Sequence, residues 1–133
     1  MTRSIFLNLL VIAVVVAFAA VVAVPAQETI GGYGDPRDPS VLARLTEEAR
    51  DVFTLLDVRT PAEFAQGHIP GAVNIDYRNL DSAMAEADRT RPVVLYCRTG
   101  SRSAQAERTL RAMGFTQVFD FGGLNRWPGQ LHR

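Results

Sequence analysis

Apolar and polar positions follow two different periods along the chain after residue 38. Residues 52–58 and 93–96 are apolar runs rich in branched and aromatic residues, which are typical of strands buried in a parallel sheet. Residues 39–50 instead show helical spacing. The apolar face of that helix would consist of Val41, Leu42, Leu45 and Ala49. Strands that alternate with helices predict an α/β fold, in which helices cover both faces of a parallel sheet.

Shorter signals complete the predicted order of elements. Thr60-Pro61-Ala62-Glu63 is a capping box, which predicts a short helix that ends near Gly67. The remaining predicted elements are strands at residues 73–75 and 117–119 and a helix at residues 80–87. After the last strand we expect the chain to reverse direction at Phe121-Gly122-Gly123-Leu124.

The N-terminal segment has the features of a secretory signal. Arg3 precedes an apolar run over residues 5–24, which ends at the small-residue motif Val24-Pro25-Ala26. We therefore predict a signal peptide over residues 1–26, which places the domain in the periplasm or an equivalent extracytoplasmic space. The run is also long enough to span a bilayer, so an uncleaved N-terminal anchor is the alternative. Residues 27–38, which are rich in glycine, are predicted to be a linker.

The charge balance and the cysteine count exclude several classes of function. The chain has 14 basic and 14 acidic residues, and because only Arg3 of these lies before residue 27, the rest has 13 basic residues against 14 acidic ones. This balance argues against binding to nucleic acid. One cysteine cannot form an internal disulfide or a C-x-x-C redox pair, and the two histidines, His68 and His132, offer no metal-ligand spacing. We expect neither a metal nor another cofactor.

The single cysteine follows an apolar strand and precedes a helix. Cys97 is succeeded by the polar loop Arg98-Thr99-Gly100-Ser101-Arg102, and a helix is predicted from near Ser103 to a glycine stop at Gly114. A loop that ends at a helix start presents free backbone amides, so it favours anions. These amides and the two loop arginines should lower the pKa of an exposed thiol at the lip of the loop. The sequence predicts a nucleophile, although a lone cysteine can also be a small buried apolar residue.

The loop Cys97-Arg98-Thr99-Gly100-Ser101-Arg102 resembles the active-site loop of the rhodanese family of sulfurtransferases. The family's other motifs resemble Asp57-Val58-Arg59 with Glu63-Phe64, Gly67-His68-Ile69-Pro70-Gly71-Ala72-Val73-Asn74, and Gly122-Gly123 followed by Trp127. The likeness covers residues 52 to 128 and predicts a rhodanese-like domain over residues 39–133. The rhodanese fold has five parallel strands, and no clear first strand precedes residue 39, so we expect a sheet of four or five strands.

The resemblance implies that the chain moves a sulfane sulfur. Cys97 would take the outer sulfur of thiosulfate or a similar small-molecule donor, hold it as a persulfide, and pass it to a thiol or to cyanide. The substrate-binding residues implied are Arg98, Thr99, Gly100, Ser101 and Arg102. Their amides would surround the persulfide, and the two arginines would orient the departing sulfite. We expect a monomer that contacts a membrane only through an uncleaved leader.

Four residues outside the loop have predicted roles. Asp57 and Arg59 are expected to support the site, since Asp57 could either help the active loop or pair with Arg59. His68 is interpreted as a packed or hydrogen-bonded residue that holds a turn. Trp127 is interpreted as structural.

Two other functions compete with sulfurtransferase activity. A cysteine-dependent phosphatase uses a wider loop with five residues between cysteine and arginine, whereas only four residues separate Cys97 from Arg102 here, which favours sulfur. The chain could also be a rhodanese-like binding module without catalysis or a persulfide carrier. Because inactive modules usually lack the nucleophile, the presence of Cys97 favours a catalyst or a carrier.

Overall fold

A four-stranded parallel sheet lies at the centre of the computed structural model, which describes residues 29–133. Its strands are β1 (Thr54–Asp57), β2 (Val73–Asn74), β3 (Val93–Cys97) and β4 (Val118–Gly123). Their order across the sheet is β2-β1-β3-β4, so β1 and β3 are the central strands. The predicted α/β fold is confirmed, and within the described residues the sheet has the smaller of the two expected strand numbers.

Four α-helices connect and cover the strands. They are α1 (Pro39–Glu48), α2 (Pro61–Gln66), α3 (Leu80–Ala83) and α4 (Ser101–Ala112). Short 3-10 turns occupy Arg50–Val52, Tyr77–Asn79 and Leu124–Arg126. The capping box predicted at the start of α2 is present, since Thr60 and Glu63 each bond the backbone amide of the other. α1 begins after Asp38, whose carboxylate accepts a hydrogen bond from the Ser40 amide at 2.8 Å.

Alternation along β3 divides the core between the two faces of the sheet. Tyr96 points toward α1 and belongs to the same apolar cluster as Leu45. Leu95 and Cys97 point the other way, into the cluster that contains Leu110 of α4. Full burial of a side chain such as Leu110 contributes roughly 1.5–3 kcal/mol to stability. This packing fixes α4 against the strand that ends at Cys97.

α3 is shorter than the helix predicted over residues 80–87. The guanidinium of Arg89 donates hydrogen bonds of 2.6–3.1 Å to the carbonyls of Met84, Ala85 and Ala87. These carbonyls therefore find their partners on a side chain, and a further helical turn is not needed to satisfy them.

α4 begins two residues before the predicted start at Ser103. Gly100 precedes it with a φ of +102°, a conformation that glycine adopts without steric cost. The Gly100 carbonyl accepts a hydrogen bond of 3.0 Å from the Ala104 amide, which opens the helical ladder. The active loop is consequently shorter than predicted, because Ser101 and Arg102 belong to the helix.

β4 continues through the segment that was predicted to reverse direction. Gly122 has a φ of +92°, and the register between β3 and β4 shifts beside it. Asp120 stabilises this irregularity, because its carboxylate accepts a hydrogen bond of 2.8 Å from the Gly122 amide. The chain turns only after Gly123, in the 3-10 turn. A pair of glycines here marks a shifted strand end and not a turn.

The described part of the predicted linker packs on the domain. Ile30 is only 2% exposed and belongs to the core cluster on the α1 side. Gly31 and Gly32 have positive φ angles and form a turn, so a strand cannot continue from Ile30. The predicted leader lies outside the described residues. None of the helices in residues 29–133 is long and apolar enough to cross a membrane.

Candidate active site

Cys97 is the last residue of β3, at the carboxyl-terminal edge of the sheet. Open parallel sheets bind their ligands at this edge. Because side chains alternate along the strand, Cys97 points with Leu95 into the core under α4 and is 0% exposed. The prediction of an exposed thiol at the lip of the loop is therefore wrong. The sulfur lies on the inner side of the loop, where a donor reaches it only past the loop residues.

The loop and the first turn of α4 supply hydrogen bonds to the sulfur. The Gly100 amide donates to Cys97 Sγ at 3.0 Å, and the Ser103 hydroxyl lies 3.6 Å from it. Burial raises the pKa of the thiol, but hydrogen bonds from the Ser103 hydroxyl and from the amides of Ser103, Gly100 and Thr99 outweigh it. The pKa of Cys97 therefore lies below its ordinary value. This direction agrees with the prediction, but the hydroxyl of Ser103 contributes where the prediction named the two loop arginines beside the amides.

Ser103 is a residue of the candidate site that the sequence analysis missed. It is 0% exposed and shares the buried face of α4 with Ala106 and Leu110. A lone polar residue at an otherwise apolar helical position was the available signal. In the neutral state its hydroxyl donates to the Gly100 carbonyl at 3.0 Å, while the thiol of Cys97 donates to the hydroxyl oxygen. A thiolate accepts hydrogen bonds, so ionisation of Cys97 lets the Ser103 hydroxyl turn and donate to sulfur.

Arg102 makes a bidentate ion pair with a residue of α2. Its two terminal nitrogens donate to the Glu63 carboxylate at 2.7 and 2.8 Å. The Thr60 amide and hydroxyl also donate to that carboxylate, each at 3.0 Å. The bonds from Arg102 lower the pKa of Glu63 to about 2. The bonds to Glu63 raise the pKa of Arg102, and an interaction with the Cys97 sulfur adds to that rise.

The Arg102 geometry differs from the prediction in one respect. Sequence analysis gave Arg102 the role of orienting sulfite and assigned it no carboxylate partner, whereas each of its terminal nitrogens donates one hydrogen bond to Glu63 and the other N–H groups stay available. Sequence analysis placed Glu63 in a capping box and in a family motif, but it did not identify Glu63 as the partner of Arg102. A carboxylate that caps a helix can still accept further hydrogen bonds. The arginine that donates them is determined by the packing of α2 against α4, which the local sequence does not indicate.

The other loop residues line an open cavity beside the active site. Arg98, Thr99, Leu124, Asn125 and Leu131 border this cavity of about 560 Å³. Arg98 and Thr99 are exposed, as is Ser101 at the start of α4. None of the ion pairs found in residues 29–133 involves Arg98. Among residues 29–133, Arg98, and not Arg102, is thus the loop arginine whose charge has no carboxylate partner.

The end of β4 forms a backbone floor under the loop. A Cβ atom at Gly123 would lie 3.0 Å from the Arg98 carbonyl oxygen and 2.5 Å from the Asn125 side chain. A Cβ atom at Gly100 would contact the Gly122 backbone at 3.6 Å. Glycine at position 123 therefore permits an approach between β4 and the loop that a larger residue would prevent.

Asp57 and Arg59 form a buried ion pair next to the site. The Arg59 guanidinium donates to the Asp57 carboxylate at 2.6–3.0 Å and to the Gly67 carbonyl at 2.7 Å. Burial lowers the pKa of Arg59, but the hydrogen bonds to Asp57 outweigh it and raise that pKa. Of the two roles open to Asp57, the structure shows pairing with Arg59. The pair holds the turn at Gly67, and so it supports the site through the fold.

His68 and Trp127 occupy structural positions. His68 Nδ1 lies 3.0 Å from the Phe64 carbonyl oxygen, and the two rings stack with centroids 3.7 Å apart. His68 also pairs through its backbone with His132 near the C-terminus. Trp127 packs at the margin of the core on the α1 side. Within residues 29–133 no three His, Cys, Asp or Glu side chains are arranged to hold a metal ion.

Comparison with known proteins identifies the family of the chain. The family model of the rhodanese-like domain matches residues 38–130 of this chain. The chain belongs to the rhodanese-like family. The predicted resemblance is confirmed, and the names of the relatives support rhodanese-type sulfur transfer as the class of activity.

Three relatives show how far the rhodanese-like similarity extends. A protein named sulfurtransferase from Allochromatium vinosum is 40% identical over 91 residues, which cover 68% of this chain and 84% of that protein. Thiosulfate sulfurtransferase PspE of Escherichia coli is 39% identical over 71 residues, with coverages of 52% and 68%. The chain is 42% identical to Bacillus subtilis YqhL over 78 residues, which are 58% of this chain, but it spans only 62% of that protein.

A solved structure gives the same fold. A rhodanese from Escherichia coli, determined with anions, superimposes with a TM-score of 0.55 and 34% identity. The superposition covers 60% of this chain and 96% of the other.

Proposed function

We propose that the chain is a thiosulfate sulfurtransferase that carries sulfur on Cys97 as a persulfide. The proposal rests on the position of the Cys97 sulfur under the loop. There the sulfur accepts a hydrogen bond of 3.0 Å from the Gly100 amide, and the pKa of the thiol is lowered. The similarity to a relative named thiosulfate sulfurtransferase supports thiosulfate as the donor.

The first half-reaction forms the persulfide. The Cys97 thiolate attacks the outer sulfur of thiosulfate and forms a new S–S bond. The original S–S bond of thiosulfate breaks, and sulfite leaves with the electron pair of that bond. The exposed Arg98 attracts and orients the anionic donor at the entrance, because its charge has no carboxylate partner among the described ion pairs. The loop amides that lower the pKa of Cys97 also surround the negative charge of the persulfide.

The second half-reaction returns the enzyme to its starting state. A thiolate or cyanide attacks the outer sulfur of the persulfide, and the bond between that sulfur and Cys97 breaks. The acceptor leaves as a persulfide or as thiocyanate, and the electron pair of the broken bond restores the Cys97 thiolate. No proton has to be transferred when both nucleophiles react as anions. Such a reaction needs groups that stabilise anionic sulfur, and the site provides them as hydrogen-bond donors around the Cys97 sulfur.

Intact-mass measurement tests this function. The full-length chain incubated with thiosulfate should gain about 32 mass units, and cyanide should remove them, as expected for one covalent sulfur. Cys97→Ser should show neither change, since a serine hydroxyl does not ionise at neutral pH. Sulfur uptake from a persulfide donor alone would identify a carrier with another donor. No uptake from either donor would refute sulfur transfer through Cys97.

We also propose that the chain is exported and acts as a monomer outside the cytoplasm. Arg3, the apolar residues 5–24 and the motif Val24-Pro25-Ala26 support export with cleavage. N-terminal sequencing of the protein from the periplasm should start at Gln27, whereas an intact Met1 in the membrane fraction would identify an anchor. Light scattering should give the mass of one chain, since the exposed large apolar residues of the described part are only Val52, Val73 and Leu131.

A further inference from the structure

A second cavity lies at the opposite edge of the sheet from Cys97. It opens beside Thr54, the first residue of β1, and beside Arg91, which precedes β3. A strand rises about 3.3 Å per residue, so the five residues of β3 separate this edge from Cys97 by roughly 13 Å. The cavity has a volume of about 240 Å³, and we call it the Arg50–Arg91 cavity.

The wall of the Arg50–Arg91 cavity combines apolar surface with positive charge. Its apolar part is formed by Phe53, Leu55, Pro70 and Val73. Its polar part is formed by Thr46, Arg50, Thr54 and Arg91, with Gly71 beside them. All the charged side chains in the wall are arginines. A concave surface with charge of one sign and apolar walls concentrates ligands of the opposite sign.

Both arginines are held in place by neutral oxygens. Arg91 Nε donates to the Thr54 hydroxyl at 3.0 Å, and its terminal nitrogen donates to the Phe53 carbonyl at 2.7 Å. Arg50 Nε donates to the Thr46 carbonyl at the end of α1. The ion pairs of residues 29–133 include neither Arg50 nor Arg91, in contrast to Arg102, which has Glu63. The cavity thus holds two oriented cations, neither of which forms an ion pair with a carboxylate of residues 29–133; Asp88 interacts with the guanidinium of Arg91 only through its longer-range charge.

We propose that the Arg50–Arg91 cavity is a binding site for a small organic carboxylate. The carboxylate group binds the guanidinium groups of Arg50 and Arg91, each of which keeps terminal N–H donors beyond those described above. A short aliphatic or aromatic body packs on Phe53 and Leu55 and covers part of Val73, which is 53% exposed. The cavity is smaller than the roughly 300–1,000 Å³ of sites for drug-sized ligands, so it selects a small ligand. This site is separate from sulfur transfer at Cys97.

Benzoate is a suitable probe, because it combines one carboxylate with one small apolar ring. In an NMR titration of the isotope-labelled full-length chain, benzoate should shift the backbone amides of Thr54, Gly71 and Val73 in a saturable manner. Benzamide, which has the same shape without the charge, should bind at least about tenfold more weakly, since hydrogen bonds to charged groups are the stronger ones. Equal binding of benzamide and benzoate would overturn the assignment of an anion site.

Variants of the two arginines complete the test. Arg50→Gln should weaken benzoate binding about tenfold or more, and Arg50→Lys should retain part of it. Arg91→Gln should also weaken binding, and it serves as the second variant if Arg50→Gln fails to fold. Arg44→Gln is the matched control, because Arg44 lies on α1 but is exposed and faces Glu48. Absence of saturable shifts, shifts confined to residues 98–103, or unchanged binding by Arg50→Gln and Arg91→Gln would each overturn the proposal.

Discussion

Replacement of Ser103 by alanine tests how the active loop ionises Cys97. The change removes the hydroxyl that lies 3.6 Å from the sulfur and leaves the Gly100 amide in place. A hydrogen bond to a charged group contributes about 1.5–3 kcal/mol. Its loss should lower the thiolate population at a fixed mildly acidic pH by roughly ten- to a hundredfold. The long distance to sulfur favours the lower end of this range.

The reaction rate should fall less than the thiolate population. A more basic thiolate is a better nucleophile, and with a Brønsted exponent of about 0.4–0.5 this compensates part of the loss. The net decrease in alkylation by iodoacetamide at pH 6 should therefore be roughly three- to tenfold. The midpoint of the rate against pH should move upward in the variant, because the donor that stabilised the thiolate is absent.

The substitution leaves the fold intact for two reasons. The Gly100 carbonyl, which loses the Ser103 hydroxyl, still accepts the Ala104 amide at 3.0 Å. Alanine also has the highest helix propensity, so α4 is not weakened. Ser101→Ala is the matched control, since Ser101 is exposed in the same first turn. An alkylation midpoint that is unchanged in Ser103→Ala, or that moves equally in Ser101→Ala, would refute the assigned role of the hydroxyl.

Two further predictions concern the arginines and the acid dependence of the fold. Arg98→Ala should raise the KM for thiosulfate about tenfold without moving the pH midpoint of alkylation. Arg102→Ala should raise this KM as well, and it should also lower the urea midpoint of unfolding, because it leaves Glu63 without its partner. In the folded protein the pKa of Glu63 is lowered to about 2 from its ordinary value of 4.5. The ionised carboxylate therefore stabilises the fold fully at pH values above 4.5, and this stabilisation is lost as the pH falls through about 2. Glu63→Gln should therefore cost about 1–2 kcal/mol at pH 7, after allowance for solvent screening of a partly exposed pair, and the difference from the unchanged chain should vanish in urea unfolding below pH 2. Equal stabilities at pH 7, or a difference that persists at the lowest pH, would contradict the Glu63 assignment.

The elements that sequence analysis located well are those with strong local causes. The buried run that became β3, the capping box of α2 and the apolar face of α1 depend on residues close together in the chain. The position of Cys97 between a strand and a helix follows from the same local order. Local order also predicted that the pKa of Cys97 is lowered, whereas its role as a nucleophile stays a prediction.

The features that sequence analysis missed depend on distant contacts. α3 ends early because Arg89 satisfies its carbonyls, and β4 continues because Asp120 holds the Gly122 amide. The burial of Cys97 follows from which face of β3 α4 covers, which is a property of packing. The ion pair between Glu63 and Arg102 joins residues 39 positions apart. Each of these contacts requires the topology to be known first.

Glu63 takes part in a local contact and in a distant one, because the same carboxylate caps a helix and pairs with an arginine of another helix. It closes the capping box that starts α2, and it fixes the guanidinium of Arg102 in the first turn of α4. The same turn carries Ser103, whose hydroxyl and amide stabilise the Cys97 thiolate. The ion pair thus connects α2 to the helical turn that supports Cys97. It also compensates the charge of Arg102, which is partly buried and interacts with the sulfur. A change at a helix cap that never touches sulfur is therefore expected to alter the reactivity of Cys97.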